Sequence, residues 1–245
     1  MGRNDAECGA ALEQLRAVAG ASLGAVAGCT ATSPRAEPPA RASGRSNASV
    51  ADRVEALERD HVRQVVGSDG WVQCDSTIAT RVGDEYYASA VCASSGEDFP
   101  AEPSVYLVGP NATTRISRYS DTKRVRVRPG GTQRPASFSP QIHLFNFRNS
   151  VSRVELTVQS GSHSIYADSV TLPKHSGVEL WSVVRAPGSY DVQASTNGAT
   201  LDVTAELTAT DDRPLVVVVR PNGGLLGFRF AYPCVPSPVD GSCAE

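Results

Sequence analysis

The stretch SYDVQASTNGATLDVTAELT (189–208) decides the fold of this chain. Polar and apolar residues alternate on both sides of the pair Asn197-Gly198, which is the period of a strand with one buried face. The apolar positions are Tyr190, Val192 and Ala194 before the pair and Leu201, Val203, Ala205 and Leu207 after it. Because Asn-Gly favours the tight turn of a β-hairpin, the stretch predicts two antiparallel strands that share a core.

Similar short segments recur from Trp71 onward, separated by turn-forming Gly, Pro, Asn and Asp. Many such strands predict an all-β fold, an antiparallel β-sandwich. The unbroken apolar run from Val216 to Val219 predicts a central strand that is covered on both faces. The predicted strands are 71–79, 85–93, 104–109, 113–119, 123–129, 141–147, 152–158, 163–172, 177–184, 189–195, 200–208, 214–220 and 225–231.

The segment KRVRVRP (123–129) alternates strictly between arginine and valine. Its arginines are Arg124, Arg126 and Arg128, and its valines are Val125 and Val127. We expect the arginines to form the solvated face of an antiparallel strand. The alternative is a cationic stripe that binds an anionic surface.

The turn APGSYDV (186–192) resembles the G-x-Y-x-V corner of immunoglobulin-like and fibronectin-like extracellular sandwiches. In those folds the tyrosine hydroxyl, here that of Tyr190, ties a late strand to the preceding connection. With its opening LFNF strand and its paired strands, segment 141–231 is similar to the immunoglobulin-like (Ig-like) modules of prokaryotic surface lipoproteins, notably those of halophilic archaea. The resemblance implies an Ig-like sandwich and no particular chemistry.

The N-terminal segment from Ala17 to Ala27 is small, apolar and uncharged, and it leads into Gly28-Cys29. The quartet VAGC (26–29) resembles the lipobox of prokaryotic lipoproteins, in which the cysteine carries a lipid and becomes the first mature residue. The resemblance implies a signal peptide over 1–29 and an extracytoplasmic protein that a lipid on Cys29 holds at the cell membrane. The alternative is a small-residue helix that ends in a buried thiol.

The domain layout follows from changes of composition along the chain. Residues 30–50 are rich in Pro, Ala, Ser and Arg and predict a flexible linker. Apolar residues at helical spacing then predict a short helix over 51–66, with Ser49 as its cap. We expect a β-rich subdomain at 71–130 and the Ig-like sandwich at 138–233, and whether the first is separate stays open.

Cysteine usage agrees with export. With Cys8 and Cys29 set aside, four cysteines remain, and an even number in an exported protein predicts two disulfides. The expected local pairing is Cys74–Cys92 and Cys234–Cys243, one of three possible connectivities, and the second bridge would close a C-terminal tail at 234–245. A zinc site is the alternative, although the sequence has no C-x-x-C.

The sequence offers no set of residues typical of an enzyme or a cofactor site. Its four histidines, which we expect to be structural or surface residues, do not accompany a G-x-S-x-G elbow. Gln193 and Ala194 stand where a blue-copper protein would carry its cysteine ligand, so we expect no metal and no cofactor. The net charge of −3 argues against a nucleic-acid partner. The histidines are His61, His143, His163 and His175.

Two sequons, at Asn47 and Asn111, match N-x-S/T and are candidate glycosylation sites. The first functional hypothesis is a non-catalytic surface lipoprotein that contacts another protein or the envelope. The second is a solute- or glycan-binding module of a transporter or hydrolase system, and the third is a structural subunit of an envelope assembly. Aromatic residues available for the second are Trp71, Tyr86, Tyr87, Tyr106 and Trp181.

Overall fold

A computed structural model describes seven segments of the chain, all within one compact unit. The predicted signal peptide, residues 30–45 of the predicted linker, Cys29, Cys234 and Cys243 lie outside the described residues. The described segments are 46–66, 71–94, 103–118, 121–126, 141–184, 186–208 and 213–233.

The helix α1 spans Asn47–Val66 and begins four residues before the predicted start. The predicted cap is wrong: Ser46, not Ser49, accepts the hydrogen bond of a first-turn amide, from Ser49 N to Ser46 Oγ at 3.1 Å. Val50, Val54, Glu58 and Val62 recur every four residues and form the buried stripe. Among the described residues, no helix is long and apolar enough to cross a membrane.

Thirteen strands follow, each overlapping one predicted segment, and the all-β sandwich is confirmed. They are β1 (Val72–Val82), β2 (Glu85–Ser94), β3 (Ser104–Val108), β4 (Thr113–Ser117), β5 (Thr122–Arg126), β6 (Ile142–Asn146), β7 (Ser152–Ser160), β8 (His163–Leu172), β9 (Ser176–Trp181), β10 (Gly188–Thr196), β11 (Ala199–Leu207), β12 (Leu215–Val219) and β13 (Leu225–Arg229).

The strands form three sheets. The helix-side sheet has the order β1-β2-β3-β4, the central sheet β13-β12-β6-β9-β5, and the outer sheet β11-β10-β7-β8. The central sheet is mixed, because β12 pairs in parallel with β6 and β5 pairs in parallel with β9. The expectation of an antiparallel strand at 123–129 is therefore wrong. β5 also lies in the predicted subdomain 71–130 and yet completes the central sheet of the sandwich.

The central sheet packs on both sides, and this is why β12 is apolar at every position. Leu215, Val217 and Val219 join the core shared with the outer sheet, whereas Val216 and Val218 join the core shared with the helix-side sheet. The prediction of a central strand covered on both faces is confirmed. Each such side chain contributes roughly 1.5–3 kcal/mol on burial.

The outer sheet carries the predicted tyrosine corner. Gly188 opens β10, and the Tyr190 hydroxyl donates to the carbonyl oxygen of Ala186 at 2.7 Å. The hairpin β10–β11 turns at Asn197-Gly198, with Thr196 opposite Ala199. Both features follow the sequence prediction.

On the other side of the molecule, α1 covers the helix-side sheet. Val50 and Val54 pack on Tyr86 and Tyr106, and Val62 packs on the disulfide between Cys74 and Cys92. These cysteines are direct cross-strand partners on β1 and β2, so the expected bridge is present.

The double coverage of the central sheet predicts that the sandwich does not fold alone. A fragment of residues 141–233 lacks the helix-side sheet and the edge strand β5, and it exposes Phe145, Val216 and Val218 to water. We expect it to bind a hydrophobic dye and to unfold without a cooperative transition, whereas residues 46–233 unfold cooperatively. Cooperative unfolding of the shorter fragment, without dye binding, would contradict this view of the core.

Candidate functional site

A buried carboxylate lies at the interface of the central and helix-side sheets. Glu179 lies on β9 and is fully buried. It forms an ion pair with Arg118, which follows β4, and a second with Arg124 on β5, at 3.3 Å. Trp181 Nε1 donates to the same carboxylate at 3.1 Å. Arg124 also stacks over the Trp181 ring and, with its side chain 48% exposed, connects the cluster to solvent.

His143 stands beside this carboxylate, as the direct cross-strand partner of Glu179. Its Nε2 lies 2.7 Å from Gln141 Oε1, to which Arg118 also donates, and its Nδ1 lies 2.6 Å from the Tyr232 hydroxyl. Because an arginine only donates, the shared Gln141 atom accepts, so His143 Nε2 carries the proton and Nδ1 accepts from Tyr232.

The imidazole of His143 is neutral. Burial, reinforced by the charges of Arg118 and Arg124, lowers its pKa well below the ordinary value of 6.5. Its 3.8 Å approach to Glu179 is therefore a contact with a neutral ring and not an ion pair.

A second buried carboxylate fixes the helix. Glu58 of α1 is 1% exposed and accepts two hydrogen bonds at 2.8 Å from the Arg115 guanidinium and one at 3.1 Å from Ser104. The Tyr106 hydroxyl donates to it as well. Burial and the charge of Glu58 raise the pKa of Tyr106, so the phenol stays protonated.

A third carboxylate links the helix-side and central sheets directly. Glu85 at the start of β2 accepts from Arg220, which follows β12, at 2.8 and 3.0 Å. Tyr87 donates to the same oxygen at 3.0 Å, and burial followed by the Glu85 hydrogen bond raises the pKa of Tyr87.

These three clusters are built to hold layers together. Each carboxylate accepts from arginine and from a phenol or indole, and this leaves the fully buried Glu58 and Glu179 little acceptor capacity for a ligand. Between the sheets, the gap lined by Phe145, Val216 and Phe228 is too narrow for a water molecule. Within the described ranges, no group of three or more His, Cys, Asp or Glu side chains is arranged to hold a metal.

The structure separates the residues that the sequence singled out. His61 lies on α1, His163 opens β8, and His175 occupies the β8–β9 turn with a positive φ of 48°. Tyr86, Tyr87 and Tyr106 are buried, Trp181 is half-buried, and Trp71 is 40% exposed. Asn47 and Asn111 are both exposed.

Sequence reasoning missed the buried carboxylates. Glu58 recurs four residues after Val54 and four before Val62, and Glu179 stands between Val178 and Leu180. In each case an acidic residue occupies a position where the apolar pattern predicts a buried side chain. Such a residue indicates a buried ion pair. The arginine partners, distant in sequence, carry no such signal.

Comparison with known proteins identifies one module. Residues 151–229 match the family described as the halobacterial Ig-like domain, in agreement with the resemblance noted for segment 141–231. The comparisons with curated proteins and with solved structures found no match.

The matched segment covers β7 to β13 but omits two strands of the central sheet, β5 and β6. β6 lies between β12 and β9 in the central sheet and pairs with both. Since β6 ends at Asn146, it precedes the matched residues. The structural module is therefore larger than the matched segment.

The edges of the sheets are protected against pairing with further strands. β1 and β8 carry bulges, and on β8 the exposed, charged Asp168 is the cross-strand partner of Leu156. At β11 the Glu206 carbonyl oxygen accepts from Arg229, and at β4 the Ser117 amide donates to Asp121. β5 and β13 have five residues each, and short edge strands pair poorly.

The solvent face of the outer sheet is polar and contains no aromatic residue at its exposed positions on β7, β10 and β11. Four carboxylates and one guanidinium stand among hydroxyl and amide side chains. This composition is typical of a solvated face and not of the core of a protein interface. The positions are Arg153, Glu155, Ser189, Asp191, Gln193, Thr200, Asp202, Thr204 and Glu206.

Large apolar side chains are exposed at the opposite side of the molecule. Leu57 and Val65 of α1 are 37% and 61% exposed, and Trp71 precedes β1. Val66 and Val72 pack around the same disulfide, so Val65 and Trp71, their neighbours in sequence, lie at one end of the helix-side sheet. We call Leu57, Val65 and Trp71 the helix-end patch. Elsewhere among the described residues, only Val151 is comparably exposed.

The buried neutral His143 predicts a loss of stability in acid. Below about pH 6.5 the His143 imidazole binds a proton in the unfolded chain but not in the folded chain. The free energy of unfolding therefore falls by up to about 1.4 kcal/mol for each unit by which the pH is lowered. Denaturant titrations between about pH 7.5 and 5 should show a smaller slope in His143→Gln than in the exposed control His163→Gln. Equal slopes in the two variants would contradict this assignment.

The Glu58 cluster predicts a large difference between two glutamates of the same helix. Glu58→Gln leaves Arg115 largely buried without its counter-charge and should lower the free energy of unfolding by on the order of 3 kcal/mol. Glu55→Gln, which removes the part-exposed pair with Arg59, should change it by less than about 0.5 kcal/mol. Chemical denaturation measures both, and similar losses would show that the buried pair does not fix the helix.

Proposed function

We propose that this protein is a non-catalytic cell-surface lipoprotein whose Ig-like sandwich and helix present a surface for contact with another envelope protein. The helix-end patch carries the proposal. It places a tryptophan and two aliphatic side chains in water, whereas among the other large apolar side chains of the described residues only Val151 is comparably exposed. Exposed Trp and aliphatic residues of this kind mark protein contacts.

The geometry of the patch suits contact through side chains. Leu57, His61 and Val65 recur at every fourth residue and form a stripe beside the buried face of α1. Pairing through an added strand is less suitable, because the sheet edges carry bulges, charges or occupied backbone groups. The partner would therefore cover the end of the helix and Trp71.

The glycan-binding alternative receives less support. It needs aromatic rings exposed on a common surface, but three of the five aromatic residues considered for it are buried. Tyr87 and Tyr106 are also tied by hydroxyl hydrogen bonds to Glu85 and Glu58. Trp71 alone does not make a platform for a sugar ring.

The anchor is tested by a pair of cysteine variants in a halobacterial host. Cys29→Ser should move the full-length protein from the membrane fraction to the soluble fraction and abolish the lipid mass on the mature N-terminus. Cys8→Ser is the matched control, since processing before Cys29 removes residue 8. It should leave the membrane location and the lipid mass unchanged. Membrane retention of Cys29→Ser would refute the lipid anchor.

The contact surface is tested by photo-crosslinking on cells. A photoreactive residue at position 71 should give a crosslinked species larger than the monomer, and Val65→Asp should reduce its yield. Val151→Asp changes the other exposed valine, 63% exposed, and should leave the yield unchanged. Equal crosslinking with Val65→Asp would contradict a partner on the helix-end patch.

A further inference from the structure

The β3–β4 hairpin ends in an exposed loop that carries one of the two sequons. Val108 pairs with Thr113, and Gly109 N donates to the Ala112 carbonyl oxygen at 2.8 Å, so the loop is closed at its base. Asn111 is exposed at its tip. Its side-chain amide makes no hydrogen bond with the described part of the chain.

The threonine of this sequon is not explained by the fold. The Thr113 hydroxyl oxygen is buried at the first position of β4 and has no hydrogen-bond partner there. A buried unpaired hydroxyl is unfavourable for the folded state, and a valine of the same shape would avoid this. The folded hairpin therefore gives the Thr113 hydroxyl no stabilising contact, a condition that the Ser94 and Thr196 hydroxyls share.

The other sequon gives the contrasting case. Its hydroxyl residue is Ser49, which donates to the Ser46 carbonyl oxygen at 2.9 Å in the capping turn of α1. The backbone amide of Ser49 also donates to Ser46 Oγ, the hydrogen bond that caps the helix. The fold accounts for Ser49, so the motif at Asn47 needs no further role.

We propose that Asn111, and not Asn47, is an N-glycosylation site, an inference that rests on the export part of the proposed function. The donor is a lipid-linked glycosyl phosphate, used by a membrane transferase. The Asn111 amide nitrogen forms a bond to the sugar C1 and releases one proton, while the bond from C1 to the phosphate oxygen breaks and the lipid phosphate leaves. Thr113 supplies the hydroxyl by which the N-x-T motif is recognised, before β4 joins the sheet and buries it.

The position agrees with the proposed contact surface. The β1–β2 register runs from Val72 opposite Ser94 to Val82 opposite Glu85, and the β3–β4 loop lies at the second end. Val65 and Trp71 of the helix-end patch lie at the first end, roughly 35 Å away at the rise of a strand, and Leu57 lies about two helical turns closer to the loop. A glycan on Asn111 would leave the patch free.

The test uses the full-length chain in a halobacterial host that glycosylates asparagine. Peptide mass mapping of the membrane-bound protein should find a glycan mass on Asn111 and none on Asn47. Asn111→Gln and Thr113→Val should each abolish the modification, whereas Asn47→Gln should leave it. A membrane-bound, lipidated chain with unmodified Asn111 would overturn the glycosylation site alone, and an unmodified chain retained in the cytosol would overturn the site together with export.

A second readout separates recognition of Thr113 from a structural role. In protein made without glycosylation, Thr113→Val should have a Tm equal to or above that of the wild type, because it removes an unpaired hydroxyl. A lower Tm would show that the hydroxyl stabilises the hairpin, and the argument from Thr113 would fail.

Discussion

Coverage of the central sheet on both faces is the constraint on which the rest of the structure depends. One face packs on the outer sheet and completes the Ig-like sandwich, and the other packs on the helix-side sheet. A strand at the middle of the central sheet must then present apolar side chains in both directions, as β12 does from Leu215 to Val219. Gly177 shows how close this packing is, since a Cβ there would lie 2.7 Å from the Phe145 ring. The helix-side sheet is thus a third layer of one unit.

The same constraint determines where polar groups are found in the interior. A carboxylate buried between two layers is stable only with its charge and lone pairs satisfied, and Glu58, Glu85 and Glu179 each have an arginine for this purpose. Their arginines come from a different layer or a distant strand, so each pair also fixes the relative position of two layers. Among the described residues, the large apolar side chains exposed to solvent are those of the helix-end patch and Val151.

The sequence predicted every strand because alternation and turn residues act locally, and it predicted the Tyr190 corner because Pro187-Gly188-Ser189-Tyr190 is a local motif. It did not predict which strands pair. The parallel pairing of β5 with β9 joins residues more than fifty positions apart and depends on the helix-side sheet occupying the space beside it. The ion pairs were missed for the same reason, since Glu179 can be read as anomalous in a strand while Arg118 cannot be read as its partner. The start of α1 was misplaced because Ser46 and Ser49 are both good caps, and only backbone geometry distinguishes them.

Native-state hydrogen exchange tests most directly whether the three sheets form one cooperative unit. If the account is correct, amides of β2 and β3 in the helix-side sheet, β6 and β12 in the central sheet, and β7 and β10 in the outer sheet exchange through one global opening. Their opening free energies then converge at the free energy of unfolding and fall together with denaturant. An opening of the helix-side sheet at lower free energy, while β7 and β10 remain protected, would contradict the account and make the Ig-like sandwich an independent domain.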